Sequence, residues 1–216
     1  MHRPSIAQCL KKWRTIKGTS TPFQKDKNKG KAGLLLENLF NIPTSGDCWD
    51  CTDGEIKAFP VIRATSRTRL VKEGVLYPKE TVAVTMCKPS TDLLVPFEQS
   101  KLRKKLSSVL FIQYKENVDN ITWVNEKYFT CNHSLFKQIE KDYNEIQKFY
   151  KNHGITKSKV GKLLQVRTKG PGGDKKSWAF YLRKQFMINL FAQKPSIKIK
   201  SNILQKLRNV KIKLKN

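Results

Sequence analysis

Apolar side chains recur every three or four positions between residues 134 and 151. This spacing predicts an amphipathic helix, for which Asn132 or Ser134 can serve as the cap and Gly154 as the stop. Two further segments are rich in helix-forming residues, and the second of them is strongly basic. They predict a mostly buried helix at 32–40 and another helix at 97–108.

Runs of apolar and β-branched residues predict strands between these helices. The strand at 55–61 is expected to end at its proline, because proline cannot donate a hydrogen bond to a neighbouring strand. The strand at 81–87 has the strongest pattern, and we expect it to be central in its sheet. Two others are predicted at 109–114 and 162–168, whereas the aromatic segment 178–191 fits a strand, a helix or one followed by the other.

The length of 216 residues fits one ordinary domain and excludes two large ones. We place this domain at residues 1–194 and treat 195–216 as a basic tail, because those last 22 positions carry seven Lys or Arg and no acidic residue. The tail is either a solubilising segment or helix packed on the domain, or an extension that binds DNA or directs the protein to a nucleus.

Positive charge dominates the composition. Lys and Arg number 43 against 17 Asp and Glu, which gives a formal net charge of +26 and a pI near 10.0. Nucleic acid is therefore the first partner to expect, and an anionic membrane surface the second. No apolar run is long enough to span a bilayer, and the five cysteines, an odd number without regular spacing, indicate reduced thiols. We expect a soluble protein of the cytoplasm or nucleus.

Acidic and basic side chains cluster around the first predicted strand. Residues two apart in a strand point to the same face, so Glu55 and Lys57 project together while Ile56 and Ala58 can face the core. Asp50, in the preceding turn, can bring a second carboxylate to that lysine. Such a group can hold Mg²⁺ beside a phosphodiester, with the lysine orienting a water and offsetting transition-state charge. The arrangement is the Asp…Glu-x-Lys pattern of the PD-(D/E)xK nucleases.

Six short motifs follow one another along the chain. They are Lys-Gly-x-x-Gly-x-Leu-Leu-Glu at 29–37, Glu-Ile-Lys-x-x-Pro-Val at 55–61, Pro-Lys-Glu-Thr at 78–81, Arg-x-Lys-Leu-x-x-Val-Leu at 103–110, Leu-Gln-Val-Arg-x-Lys at 164–169 and Phe-Tyr-Leu-Arg-Lys at 180–184. In this order they resemble the motifs of the MutH-type mismatch-repair endonucleases and related type II restriction enzymes. The resemblance implies an α/β (α+β) restriction-endonuclease-like domain, a mixed sheet flanked by helices.

The resemblance also implies a set of catalytic residues, which comprises Asp50, Glu55, Lys57, Glu37 and Lys105. Its three acids would be the ligands of Mg²⁺, with Glu37 as an auxiliary acid near the metals. Lys105 would contact the cleaved backbone, and Lys29 would do the same from the first motif. The implied reaction is Mg²⁺-dependent hydrolysis of phosphodiesters in double-stranded DNA.

Further residues are implied to contact DNA. Arg167 and Lys169 would reach phosphate and a guanine edge, and Glu80 would accept from a cytosine amine. Arg103 belongs to a run of four basic residues that is either a solvated helix face or a DNA contact. Tyr181 matches a family tyrosine beside the target adenine, although a tyrosine in so apolar a segment is equally a core residue.

The spacing between the first catalytic acid and Glu55 departs from the family pattern. Asp50 stands five residues before Glu55 and Asp47 eight, and neither matches the spacing of the nicking enzymes. We prefer Asp50, because some restriction enzymes of the family have the pattern Asp-x-x-Asp-x-Glu-x-Lys. That pattern is fitted by Asp50, Asp53, Glu55 and Lys57, and Asp53 would then be a strand-turn residue. Asp47 remains a rival ligand.

The loop between Lys169 and Trp178 is shorter than in the nicking enzymes, which favours a restriction-type double-strand cutter over a nickase that senses hemimethylation. A short palindrome such as GATC would then be cut by two protomers, and a cognate methyltransferase would exist. The alternatives are a mismatch-repair nicking endonuclease, a catalytically silent DNA-binding protein of this fold and a basic structural protein. A zinc site at Cys48 and Cys51 is disfavoured, because it would crowd Asp50.

Overall fold

The computed structural model describes residues 2–24, 30–43, 48–154, 159–169 and 177–192. This part of the chain contains six α-helices and eight strands. The helices are α1 (Ile6–Ile16), α2 (Lys31–Phe40), α3 (Pro89–Asp92), α4 (Lys101–Leu106), α5 (Ser134–His153) and α6 (Lys184–Ala192). The strands are β1 (Ser20–Pro22), β2 (Glu55–Arg63), β3 (Leu76–Pro78), β4 (Val82–Cys87), β5 (Ser108–Glu116), β6 (Asn120–Thr130), β7 (Leu164–Lys169) and β8 (Ser177–Leu182).

Five of the strands form one mixed sheet in the order β1-β6-β5-β2-β3, and a second sheet has the order β4-β8-β7. Only β2 and β5 are parallel among the pairs described, with Glu55 beside Val109 at their common starting edge. Helix α4 ends two residues before β5 begins, so it delivers its last basic residues to this edge. The predicted single domain with a mixed sheet flanked by helices is confirmed.

The larger sheet separates two hydrophobic cores. Side chains alternate along β5, so that Leu110 and Ile112 face the core under α1 and α2, whereas Val109 and Phe111 face the core formed with the second sheet, α5 and α6. Every residue of β5 from Ser108 to Tyr114 is therefore buried. This strand, covered on both faces, pairs with β2 and thereby positions Glu55 and Lys57.

Helix α5 confirms the predicted amphipathic helix and its end at Gly154, which has a positive φ of 64°. Its cap is neither Asn132 nor Ser134, because the Nδ1 of His133 accepts from the backbone N–H of Leu135. On its buried face, the carboxylate of Asp142 accepts from the backbone N–H groups of Leu163 and Leu164. Asp142 thereby fixes the start of β7.

Two predicted elements differ from the structure for local reasons. The helix expected at 97–108 is a short 3₁₀ turn followed by α4, because the Oγ of Ser100 accepts from the N–H of Arg103 and starts a new helix. The strand at 55–61 does not stop at Pro60. Its pairing with β3 begins only at Val61, so the missing donor of Pro60 costs nothing on that side.

The strand expected at 81–87 is present as β4, but the expectation that it is central is wrong. It is an edge strand, and β8 is the central strand of that sheet. The ambiguous segment 178–191 is a strand followed by a helix, β8 and α6, and the helix at 32–40 and the strands at 109–114 and 162–168 are present as α2, β5 and β7.

The elements that sequence patterns missed are α1, β6, the one-turn helix α3 and the two short strands β1 and β3. Helix α1 begins with a capping box in which Ser5 and Gln8 bond each other's backbone N–H groups. No helix in the described ranges is long and apolar enough to cross a membrane. The boundary after residue 194 and the tail at 195–216 lie outside the described residues and stay predictions.

Candidate active site

Two lysines hold the carboxylate of Glu55 at the starting edge of β2. The Nζ of Lys57 lies 2.6 Å from Oε1, and the Nζ of Lys105 lies 2.8 Å from Oε2. The Glu55 side chain is 2% exposed, so both of its oxygens are bound in a largely dehydrated environment. The opposite face of β2 carries Ile56 and Ala58 in the core under α1 and α2, as the strand alternation predicted.

Asp50 contacts the same strand from the preceding turn. Its Oδ2 accepts from the backbone N–H of Ile56 at 2.9 Å. Burial raises the pKa of Asp50, and the charge of Glu55 raises it further, against the lowering effect of the Ile56 N–H and of the two lysines. The site thus places two carboxylates and two amines close enough to interact.

Glu37 approaches this group from α2. Burial raises its pKa, and so does the charge of Asp50, whereas Lys57 lowers it. Within the described residues, no hydrogen bond or ion pair occupies the Glu37 carboxylate or the Oδ1 of Asp50. Three carboxylates against two ammonium groups leave the ionised cluster with one excess negative charge.

The residues present fit a hard divalent cation. The Glu37 carboxylate and the Oδ1 of Asp50 are oxygen ligands of the type that Mg²⁺ prefers. Binding of the cation would also reduce the electrostatic repulsion between the carboxylates. In the described part of the chain, no three His, Cys, Asp or Glu side chains are gathered into a ready metal site. Asp50, Glu55 and Glu37 are therefore not one three-ligand group. Mg²⁺ commonly uses only one or two protein carboxylates, with water and substrate phosphate as its other ligands.

Helix α4 and the N-terminal segment anchor the turn that carries Asp50. The indole Nε1 of Trp49 donates to the carbonyl of Lys104 at 3.0 Å, and the guanidinium of Arg3 donates to the carbonyl of Trp49 at 2.8 Å. The Oδ1 of Asp53 accepts from the N–H of Ile6 at the start of α1. Asp53, expected to be a strand-turn residue, bonds this turn to the start of α1, and Trp49 is a positioning residue that sequence patterns missed.

Close backbone contact at Gly54 sets the entry into β2. The Oγ of Ser108 donates to the carbonyl of Asp53 at 2.6 Å and shares a hydrogen bond with the hydroxyl of Tyr128 at 2.9 Å. A Cβ on Gly54 would collide with Ser108 Oγ and would lie 2.7 Å from the Ser108 carbonyl oxygen. Only glycine fits between β2 and β5 at the residue that precedes Glu55.

A second group of candidate residues lies on the three-stranded sheet. The guanidinium carbon of Arg167 lies 4.2 Å from the ring centroid of Tyr181, and its NH2 donates to the Oγ1 of Thr81 at 2.8 Å. The structure therefore brings Arg167 and Tyr181 to the segment that contains Glu80, while exposed Lys169 lies two residues further along β7. Tyr181 is buried, as a core residue would be, and also stacks beneath this arginine.

The remaining predicted site residues have separate surroundings. Arg103 lies on α4 with its Nε 2.6 Å from the Oε2 of Glu98, and Lys29 and the rival acid Asp47 lie outside the described residues. The Sγ of Cys51 lies 3.6 Å from the Sγ of Cys9, with both thiols buried. Cys51 thus packs under α1 beside the other thiol.

Replacing Asp50 with asparagine is expected to stabilise the metal-free protein at neutral pH. An acid whose pKa is raised by folding favours the folded state only while it is protonated, so its contribution falls as the pH rises from the ordinary value of 3.8 through the raised one. The asparagine can still accept from Ile56 and carries no charge. Thermal unfolding in EDTA from pH 3 to pH 8 should show a gain in Tm that appears across this window and persists above it.

Glu145→Gln, on the exposed face of α5, is the matched removal of one carboxylate and should show no such gain. A Tm difference for Asp50→Asn that is absent or negative at pH 8 would contradict the electrostatic description of the site.

Comparison with known proteins gives a family match that covers every residue of the cluster except Glu37. Residues 49–148 match the family described as MutH: DNA mismatch repair enzyme MutH. The resemblance predicted from the motifs is confirmed over this range, which includes Asp50, Glu55, Lys57 and Lys105. No curated protein matches the chain. A solved structure, "Restriction endonuclease MvaI-cognate DNA substrate complex", matches with 14% identity and a TM-score of 0.43, over 86% of this chain and 96% of that one.

Proposed function

We propose that the chain is a Mg²⁺-dependent, sequence-specific endonuclease that hydrolyses phosphodiesters in double-stranded DNA. The observation that carries the proposal is the Glu55 carboxylate, buried at a strand edge, bonded by Lys57 and Lys105 and adjacent to Asp50. All four residues lie in the range that matches the MutH family. Buried charges in such a cluster are costly to folding, which supports a catalytic use.

Each side chain has a defined task in this proposal. Asp50 and Glu55 would hold Mg²⁺, and Glu37, whose carboxylate interacts electrostatically with Asp50, would be the auxiliary acid. When bound there, Mg²⁺ would supply polarisation of the phosphate and a lower pKa for a bound water. Lys57 orients that water and offsets the charge that develops on the phosphate oxygens, and Lys105 steadies the scissile phosphate from the end of α4. Both lysines exchange part of their contact with Glu55 for contact with the substrate.

Recognition is assigned to the second group of residues. Arg167 and Lys169 extend from β7 with donors that suit phosphate and the O6 and N7 atoms of guanine. Glu80 would accept from the N4 amine of cytosine, and Tyr181, beneath Arg167, would border the target base. The net charge of +26 supplies affinity for the backbone, so binding should weaken steeply with salt. Arg103 and Lys29 would add contacts to phosphate.

A restriction-type cutter with one site per chain needs two protomers on a palindrome, such as GATC, to cut both strands. We favour this form because the stretch between Lys169 and Trp178 is short. A cognate methyltransferase would then protect the host DNA. The alternative is a nicking endonuclease of mismatch repair, and the description of the matching family favours it.

Plasmid cleavage distinguishes these forms. Unmodified, hemimethylated and fully methylated plasmids are incubated with the protein in Mg²⁺, and the ends are mapped. Linear products that end at one short palindrome in unmodified DNA establish the restriction form. Nicked circles confined to the unmethylated strand of hemimethylated DNA establish the repair form. Salt-sensitive binding without cleavage of any plasmid would contradict both and leave a silent DNA-binding protein.

A further inference from the structure

The hairpin between β2 and β3 is a compact basic projection. We call residues 64–75 the β2–β3 arm. It contains Arg67, Arg69 and Lys72 against one acid, Glu73, and all four side chains are exposed. In the described part of the chain, none of the three cations makes a hydrogen bond or ion pair through its side chain. Other surface lysines do have acidic partners, as Lys17 has Glu126 at 2.8 Å.

Backbone hydrogen bonds hold the arm in one shape. The N–H of Ala64 donates to the carbonyl of Val75, and the N–H of Gly74 donates to the carbonyl of Ala64, both at 2.9 Å. A turn closes within the arm where the N–H of Thr68 donates to the carbonyl of Thr65, and Gly74 supplies a positive φ of 79°. Because these hydrogen bonds hold the backbone of the arm before any partner binds, little backbone conformational entropy is lost on binding.

The arm leads directly into the proposed recognition group. Strand β3 follows it and ends at Pro78, and Thr81, which accepts from Arg167, lies three residues later. Strand β2 connects the arm to Glu55, and its eight steps from Glu55 to Arg63 span about 26 Å at about 3.3 Å per residue. This is less than one helical turn of duplex, about 34 Å. A duplex that extends from the acidic cluster along β2 would therefore reach the arm within one helical turn.

From this continuity and charge we infer that the β2–β3 arm is a backbone clamp, in which Arg67, Arg69 and Lys72 bind phosphates that flank the recognised sequence. The inference rests on the proposed function, since it requires duplex DNA in the cleft. Contacts of this kind position a protein on DNA without reading bases. The clamp therefore adds affinity and salt dependence, and it leaves the choice of sequence to the group around Arg167.

Equilibrium binding to a 30-bp duplex in EDTA, followed by fluorescence anisotropy across a salt series, tests the clamp. Arg67→Gln/Arg69→Gln is compared with Lys137→Gln/Lys141→Gln, which removes the same charge from the exposed face of α5. Loss of two phosphate contacts should make the slope of log K against log salt shallower by about 2 and weaken binding at about 0.1 M salt by roughly tenfold or more. The α5 variant should remain close to wild type.

The possible results distinguish failure of the clamp from failure of the proposed endonuclease function. Two results would overturn the clamp and leave the endonuclease proposal standing. In the first, the arm variant binds the duplex with the affinity and the salt slope of the wild type. In the second, the arm variant and the α5 variant lose affinity equally. Failure of the wild type to bind duplex DNA would overturn both. Unfolding temperatures equal to wild type are the check that neither double variant has lost its fold.

Discussion

Lys57→Ala is expected to slow DNA cleavage strongly while DNA binding and folding are retained. The Lys57 ammonium lies 2.6 Å from Glu55, and the Lys57 side chain is 26% exposed, so its ammonium can contact both the carboxylate and a substrate phosphate. Without Lys57, the attacking water is not oriented and the negative charge of the transition state is not offset. The cleavage rate should therefore fall about 100-fold or more. Lys105 still neutralises Glu55 in the variant, which protects the fold. Single-turnover cleavage and duplex binding are measured on the same preparation.

Lys17→Ala is the matched control, because it also breaks a Lys–Glu pair, 2.8 Å from Glu126, at a surface outside the acidic cluster. Its cleavage rate should equal that of the wild type. Cleavage by Lys57→Ala at the wild-type rate would remove this lysine from the mechanism, even if the control behaved as expected.

Gly54→Ala is expected to lower both stability and activity. The new methyl group would meet the Ser108 hydroxyl and approach Ile6 to 3.1 Å, so β2 must move away from β5 at the residue that precedes Glu55. Forcing one methyl group into such a packed site costs about 1–3 kcal/mol of unfolding free energy. Displacement of Glu55 should also slow cleavage beyond the effect on folding. Denaturant unfolding and cleavage by the fully folded fraction are the two readouts.

Gly33→Ala gives the opposite expectation for stability. Gly33 lies within α2, and a Cβ there meets nothing within 4 Å, so alanine should stabilise the helix by about 0.5–1 kcal/mol. Equal unfolding free energies for Gly54→Ala and wild type would contradict the close approach of β2 and β5. A destabilised Gly33→Ala would contradict the open surroundings of α2.

Local patterns predicted those elements whose own residues determine them. The apolar spacing of α5 and the alternation of β2 are properties of single segments, so the face shared by Glu55 and Lys57 followed from the strand period alone. Helix α1 was missed although its capping box, Ser5 and Gln8, is visible in the sequence. The edge position of β4 depends on pairing with β8, which lies far away in the chain.

In the candidate site, too, local patterns did not predict features that depend on contacts between distant parts of the chain. The family motifs pointed to Lys105, whose contact with Glu55 spans 50 positions, and spacing alone could not have found it. Trp49 and Ser108 escaped notice because they act through backbone carbonyls of Lys104 and Asp53, contacts that exist only after the sheet has formed. Polar residues that position a site in this way carry no motif of their own.

Cleavage of supercoiled plasmid in Mg²⁺, compared with the same reaction in EDTA, tests the central claim most directly. The protein is incubated with unmodified plasmid and, separately, with hemimethylated plasmid. EDTA is added to one half of each reaction, and Mg²⁺ in excess is later restored to it. Cleavage at discrete positions in Mg²⁺, none in EDTA and recovery on restoration are the predicted results. Cleavage that persists in EDTA, or no cleavage with Mg²⁺ although the duplex is bound, would contradict the assignment of Asp50, Glu55 and Lys57 as a metal-dependent phosphodiesterase site.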